Sequence, residues 1–144
     1  MTKKPHEGVP HGAGLVVADG RSAFILRNDG TATLPKFALV EEMHQGHTPG
    51  SGGDHTGGGA RPAAVEQADN NTRAEQHFNQ VVAEAVHRLH TAGTFPSFVL
   101  VADPRTLAVL RDALPKPVQA AVVSEIAKDL TKHPIKEMER LLAG

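Results

Sequence analysis

The stretch FVLVADP at residues 98–104 is the most informative segment of this 144-residue chain. Its first five residues are apolar without interruption, as is typical of a strand covered on both faces. Asp103 and Pro104 then supply a helix cap and a proline suited to the first helical turn. A buried strand that leads directly into a helix indicates a crossover, so the segment predicts an α/β domain.

Three further strands are predicted before this segment. The apolar residues 15–18 end at Asp19-Gly20, a dipeptide typical of tight turns between antiparallel strands. Residues 23–27 would return beside them, Asn28-Asp29-Gly30 marks a second turn, and residues 37–43 alternate as a third strand does. These features predict a β-meander.

A long helix is predicted over residues 73–92. Apolar residues recur there at spacings of three and four, as one buried stripe requires: Phe78, Val81, Val82, Ala85 and Leu89. Thr72 and Glu75 have the spacing of a capping box at the helix start. Gly93 stands where a left-handed residue would end the helix.

The remainder of the chain predicts a helix over 104–114, a strand and a last helix. Pro115 and Pro117 should end the first of these helices. Residues 118–126 fit both a helical stripe and an apolar strand, and we favour a strand near 121–127. Thr131 or His133, before Pro134, should open the last helix. Its apolar residues are Ile135, Met138 and Leu142.

This order predicts an α/β fold with a mixed five-stranded sheet, a meander followed by parallel strands, and three helices. The ribonuclease-H-like architecture has the same order. Residues 1–12, which hold two prolines and two glycines, are predicted to be a disordered leader, and residues 13–144 a single domain.

A glycine-rich segment at residues 44–71 separates the meander from the long helix. Seven of the chain's 14 glycines fall between Gly46 and Gly59. Such a sequence buries too little side chain to offset its ordering entropy, so it predicts a flexible loop. Loops of this length inside compact domains are usually either functional or disordered, and we expect any binding to involve it.

Composition excludes several classes of function. With 15 basic and 16 acidic residues the net charge is −1, so strong nonspecific binding to nucleic acid is not expected. Without cysteine there are no disulfides, thiolate metal sites or cysteine nucleophiles, which fits a reducing compartment. No apolar run approaches the roughly 20 residues that span a bilayer. We therefore expect a cytoplasmic protein that does not enter the membrane.

Three stretches resemble the bacterial host-attachment family, proteins required for attachment to host cells: VVADGR at 16–21, VLVADPRTL at 99–107 and DLTKHP at 129–134. The likeness runs from about residue 14 to residue 142, with the glycine-rich insert before the long helix. It implies a non-enzymatic cytoplasmic protein that binds an unidentified protein partner and affects attachment directly or indirectly.

That family is in turn similar to the middle domain of eukaryotic and archaeal class I peptide-chain release factors. In those factors a Gly-Gly-Gln loop precedes a long helix and promotes peptidyl-tRNA hydrolysis. Here Gly57, Gly58, Gly59 and Arg61 occupy the comparable place, and Gly59 stands where the pattern needs glutamine. The resemblance thus implies an alternative function without the catalytic step, a module that contacts ribosome or tRNA through the glycine-rich loop 44–71, with these four residues as the candidate binding residues.

A minor alternative is a metal-dependent, ribonuclease-H-like nuclease. Asp19, Glu75 and Asp103 could converge on two metal ions at the ends of neighbouring strands. Each carboxylate also has a simpler structural explanation, as turn, capping box and helix cap respectively.

Four further metal-capable residues fall in the glycine-rich segment, at spacings that match no defined site: His44, His47, Asp54 and His55. The chain contains no phosphate-binding loop, dinucleotide fingerprint, serine elbow or zinc-protease motif. We therefore expect no cofactor, and binding rather than catalysis.

Overall fold

The structure, a computed structural model, describes residues 8–45 and 64–143, and for residues 64–72 it describes the backbone alone. Within these ranges the chain forms five strands and four helices. The strands are β1 (Gly14–Ala18), β2 (Ser22–Asn28), β3 (Phe37–His44), β4 (Phe98–Ala102) and β5 (Val122–Ala127). The helices are α1 (Ala64–Thr91), α2 (Pro104–Ala113), α3 (Lys116–Ala121) and α4 (Ile135–Leu142).

The five strands form one mixed sheet in the order β3-β2-β1-β4-β5. The first three pair antiparallel, whereas β1 with β4 and β4 with β5 pair parallel. The predicted fold class is thus confirmed, with one helix more than expected. Every residue of β1 and β4 is buried, because helices cover both faces of the sheet centre.

Two apolar layers flank the sheet. The larger layer packs α1, α2 and α3 against one face, around Phe78, Val82 and Leu110. The other layer packs α4 against the opposite face, through Met138 and Leu142. The Phe78 side chain is only 4% exposed, which supports its predicted place on the buried stripe of the long helix.

Residues 118–126 combine the two patterns that the sequence left open. The additional helix α3 occupies the first part, with Pro115 as its N-cap and Pro117 in its first turn, where proline is well tolerated. Strand β5 follows at once from Val122, within one residue of the predicted start. Pro117 therefore lies in the first turn of α3 as well as after the end of α2.

The long helix begins earlier than predicted. Because α1 starts at Ala64, Thr72 lies inside the helix, where the backbone N–H groups bond to carbonyls four residues earlier. The predicted capping box of Thr72 and Glu75 is therefore wrong. At the other end Gly93 has φ +76°, and the N–H groups of Gly93 and Thr94 donate to the carbonyls of His90 and Leu89. This Schellman motif confirms the predicted C-cap.

The predicted leader and loop both extend over residues that are ordered in the fold. Val9 is fully buried, and its carbonyl accepts a 2.7 Å hydrogen bond from Nδ2 of the buried Asn28, so the predicted leader 1–12 is too long at its C-terminal end. Residue 44 ends β3, and residues 64–71 belong to α1 rather than to the predicted loop 44–71. Residues 1–7 and 46–63 lie outside the described ranges.

Candidate functional site

The neighbouring parallel strands β1 and β4 end side by side, and an aspartate follows each of them. Val17 pairs with Val101 in the register, and Asp19 and Asp103 come two residues later. In open α/β sheets, ligands bind outside the carboxyl ends of the strands. This edge of the sheet, to which the first turn of α2 also belongs, is therefore the candidate site.

The Asp19 carboxylate organises the turn between β1 and β2 and ties it to the segment after β5. It accepts hydrogen bonds of 2.8 Å from the backbone N–H groups of Arg21 and Ser22 and from the hydroxyl of Thr131. Burial raises the pKa of Asp19, but these bonds and the charge of Lys132 outweigh burial and hold that pKa below its ordinary value. The predicted turn role is confirmed.

Asp103 and Glu75 are also held by protein partners. Asp103 is the N-cap of α2, as predicted, and it accepts from the backbone N–H of Thr106 at 3.2 Å and from its hydroxyl at 2.6 Å. Glu75 caps no helix and instead accepts from Arg105 Nη2 at 2.6 Å. Glu75 also adjoins the β1–β2 turn, because a methyl group added at Gly20 would lie 3.5 Å from its Cγ.

The three carboxylates of the rival nuclease hypothesis thus lie along one edge of the sheet, each with its own partners. Across residues 8–45 and the described part of 64–143, no group of three or more histidine, aspartate and glutamate side chains could hold a metal ion. This part of the chain gives the nuclease hypothesis no geometric support.

A small cleft lies between α1 and α2 beside this edge, with a volume of about 70 Å³. The α1 side supplies Glu75, Gln76 and Asn79, and the α2 side supplies Arg105, Thr106 and Val109. On α1, Asn79 follows Gln76 and Glu75 by three and four positions, and on α2, Val109 follows Thr106 and Arg105 in the same way, so each set lies on the side of its helix that meets the other helix. The ion pair between Glu75 and Arg105 bridges the two walls.

Asn79 is the unusual residue of the cleft. Its side chain is 97% buried, since only 3% is exposed, and no hydrogen-bond donor in the described residues reaches its Oδ1. A buried polar atom without a partner costs about 1–3 kcal/mol, so such atoms mark places that need an explanation. Asn79 is not among the residues predicted from the sequence, where its only signal is its position as a polar side chain between Phe78 and the Val81-Val82 pair.

The glycine-rich segment holds the predicted binding residues and the four metal-capable residues. Gly57, Gly58, Gly59 and Arg61 lie outside the described residues, as do the metal-capable residues at positions 47, 54 and 55. The one described member of that set, His44, contacts Ser22 Oγ through Nδ1 at 3.2 Å and Glu42 through Nε2 at 2.7 Å.

The order Ser22, His44, Glu42 is that of a nucleophile, a base and an orienting acid. The His44 and Glu42 side chains are 43% and 44% exposed, however, so water competes for both hydrogen bonds. The array is therefore explained as a surface network that connects β2 to β3.

Within residues 8–45 and 64–143, no helix is long and apolar enough to cross a membrane.

Among curated proteins, no match to this chain was found. Among solved structures, the crystal structure of an archaeal translation termination factor, aRF1, matches with a TM-score of 0.50 and 11% sequence identity. The match covers 89% of this chain and 36% of the archaeal factor, so the chain spans about a third of that protein's length. At this identity the likeness shows the fold alone.

The family comparison is more specific. Residues 13–142 match the model of bacterial archaeo-eukaryotic release factor family 12, which is nearly the whole chain. This match supports the release-factor part of the resemblance seen in the sequence. Neither the family nor the archaeal structure concerns attachment to a host, so that part of the resemblance has no support. The chain belongs to the bacterial archaeo-eukaryotic release factor family 12.

Proposed function

We propose that this protein is a translation-associated module that contacts the ribosome or tRNA. The observation that carries the proposal is membership of a release-factor family over residues 13–142. The proposal implies a cytoplasmic protein whose partner is the translation machinery. A role in host attachment, the other function implied by the resemblance in the sequence, is favoured by no observation on this chain.

The proposed activity is binding without peptide release. In the release-factor pattern a glutamine completes the catalytic loop, and this chain has Gly59 at the comparable position. The net charge of −1 also indicates that the contact does not depend on general attraction to phosphates. We therefore expect association through specific contacts of the glycine-rich segment, with a weak dependence on salt concentration.

Co-sedimentation with purified ribosomes tests this proposal. The wild-type protein should pellet with ribosomes and stay in solution without them. Deletion of residues 50–59 should abolish pelleting, and Arg61→Ala should weaken it. Arg140→Ala is the matched control, because it removes one positive charge from the exposed side chain that pairs with Glu137 on α4.

Two results would contradict the proposal in different ways. If wild-type protein does not pellet with ribosomes and does not bind tRNA, the translation-associated function is wrong. If the deletion variant pellets as well as wild type, the contact lies elsewhere on the chain. In a release assay with peptidyl-tRNA on ribosomes, wild type should release no peptide, and release would exclude a role by binding alone.

A further inference from the structure

Three of the residues that line the cleft between α1 and α2 carry a hydrogen-bond acceptor with remaining capacity: Asn79, Thr106 and Glu75. Asn79 Oδ1 is reached by no donor among the described residues. Thr106 donates its single hydroxyl hydrogen to Asp103 Oδ1 at 2.6 Å, so its oxygen faces other groups only as an acceptor. Glu75 accepts from Arg105 through Oε1, and a carboxylate has about four acceptor positions, so it has capacity for another donor.

We propose that this cleft binds an alkylammonium group, the cationic end of a lysine side chain or of a free aliphatic amine. An ammonium group carries three donors and no acceptor, which matches three acceptors. The half-buried Val109 on the α2 wall offers an apolar surface for the methylene stem of such a group. The cleft volume of about 70 Å³ suits a compact head group.

A guanidinium ligand fits the cleft less well. Its planar fork binds a carboxylate through two parallel hydrogen bonds, but one oxygen of Glu75 is already occupied by Arg105. Arg105 is itself exposed and lines the cleft, so its charge opposes an incoming cation. We therefore expect modest affinity that increases when the Arg105 charge is removed.

The test is a titration of the isolated ¹⁵N-labelled protein, followed by the backbone amide shifts of residues 75–79 and 105–109. The probes are n-butylamine, putrescine and Nα-acetyl-lysine methylamide at constant ionic strength, with 1-butanol as the neutral control. Saturable shifts with the amines but not with butanol support the proposal. Saturation by the lysine derivative points to a protein side chain, and saturation by putrescine alone points to a free polyamine.

Four variants sharpen the test. Asn79→Leu should weaken amine binding about tenfold or more, because a hydrogen bond to a charged donor is lost. Asn79→Asp keeps an acceptor, adds a negative charge and should strengthen binding. Arg105→Gln should also strengthen it. Arg88→Gln is the matched control, because Arg88 likewise pairs with a glutamate, Glu41, but lies away from the cleft, and it should leave binding unchanged.

The proposal is overturned if the amines and butanol cause the same shifts, if the shifts do not saturate, or if Asn79→Leu binds amine as well as wild type. The titration contains no ribosomes or RNA. Its failure would therefore leave the proposed contact with the translation machinery untouched, and failure of ribosome binding would leave the amine site untouched.

Discussion

Replacing Asn79 by leucine should leave the protein at least as stable as wild type, although the residue is 97% buried. The wild-type side chain loses about 1–3 kcal/mol by hiding an acceptor from water without a donor. Leucine removes this cost and adds apolar burial, while its larger volume costs about 1 kcal/mol where packing is tight. The adjoining cleft gives the extra atoms room, so we expect a net gain of about 1 kcal/mol.

Asn28 provides the matched control, since it is a fully buried asparagine whose amide is well bonded. Its Oδ1 accepts from the N–H groups of Gly30 and Lys36, and its Nδ2 donates to the carbonyls of Val9 and Thr31. Asn28→Leu leaves these four backbone groups without their partner and should cost about 3–5 kcal/mol.

Urea denaturation of both variants near neutral pH measures the two effects as shifts of the unfolding midpoint in opposite directions. If Asn79→Leu destabilised the protein as strongly as Asn28→Leu, the Asn79 amide would have a hydrogen-bond partner in the folded protein. The reasoning from an unpaired acceptor would then be refuted, and with it the chemistry proposed for the cleft.

Three further predictions concern the core, the turns and acid stability. Phe78→Ala should cost about 3–5 kcal/mol in urea denaturation, because it leaves a cavity under α1; a cost below about 1 kcal/mol would mean that this face is not packed. Gly30→Ala should be more destabilising than Gly20→Ala in thermal melts, since its new methyl would lie 2.3 Å from the Leu34 carbonyl oxygen, whereas Gly20 only has to keep φ +90°; equal melting temperatures would contradict this. The pKa of Asp19 is lowered on folding, so its carboxylate stabilises the protein above the unfolded pKa, and that contribution is lost as pH falls through the folded value. Asp19→Asn should therefore be less stable than wild type at neutral pH, and acidification should destabilise the variant less than it destabilises wild type. An unchanged pH profile in urea titrations would count against the assigned role.

Most of the sheet could be predicted because its signals are local. The run at 98–102 and the Asp19-Gly20 turn specify a buried strand and a tight turn through a few adjacent residues, and both are found in the structure. The start of α1 could not be predicted in this way. Thr72 and Glu75 have cap spacing, but the same spacing also occurs inside helices, and only the continuing backbone hydrogen bonds distinguish the two cases.

The cleft was missed for a different reason. Glu75 and Arg105 are 30 residues apart, and their contact depends on how α1 packs against α2. Asn79 is conspicuous only once its burial and its missing donor are known, and both are properties of the packed structure. A polar residue beside an apolar stripe is common on helices, so the sequence pattern alone does not single it out.

The central place of β1 in the sheet has a consequence for synthesis of the chain. One edge of β1 pairs with β2, which is made immediately afterwards, but its other edge waits for β4, which follows the whole of α1. The link from Thr131 to Asp19 spans 112 residues and forms later still. A nascent chain that has emerged only as far as α1 therefore carries an apolar strand with an open edge, a template for pairing with other chains. Chains stalled or truncated before residue 98 should accumulate in aggregates, because the domain can close only when nearly all of it has been made.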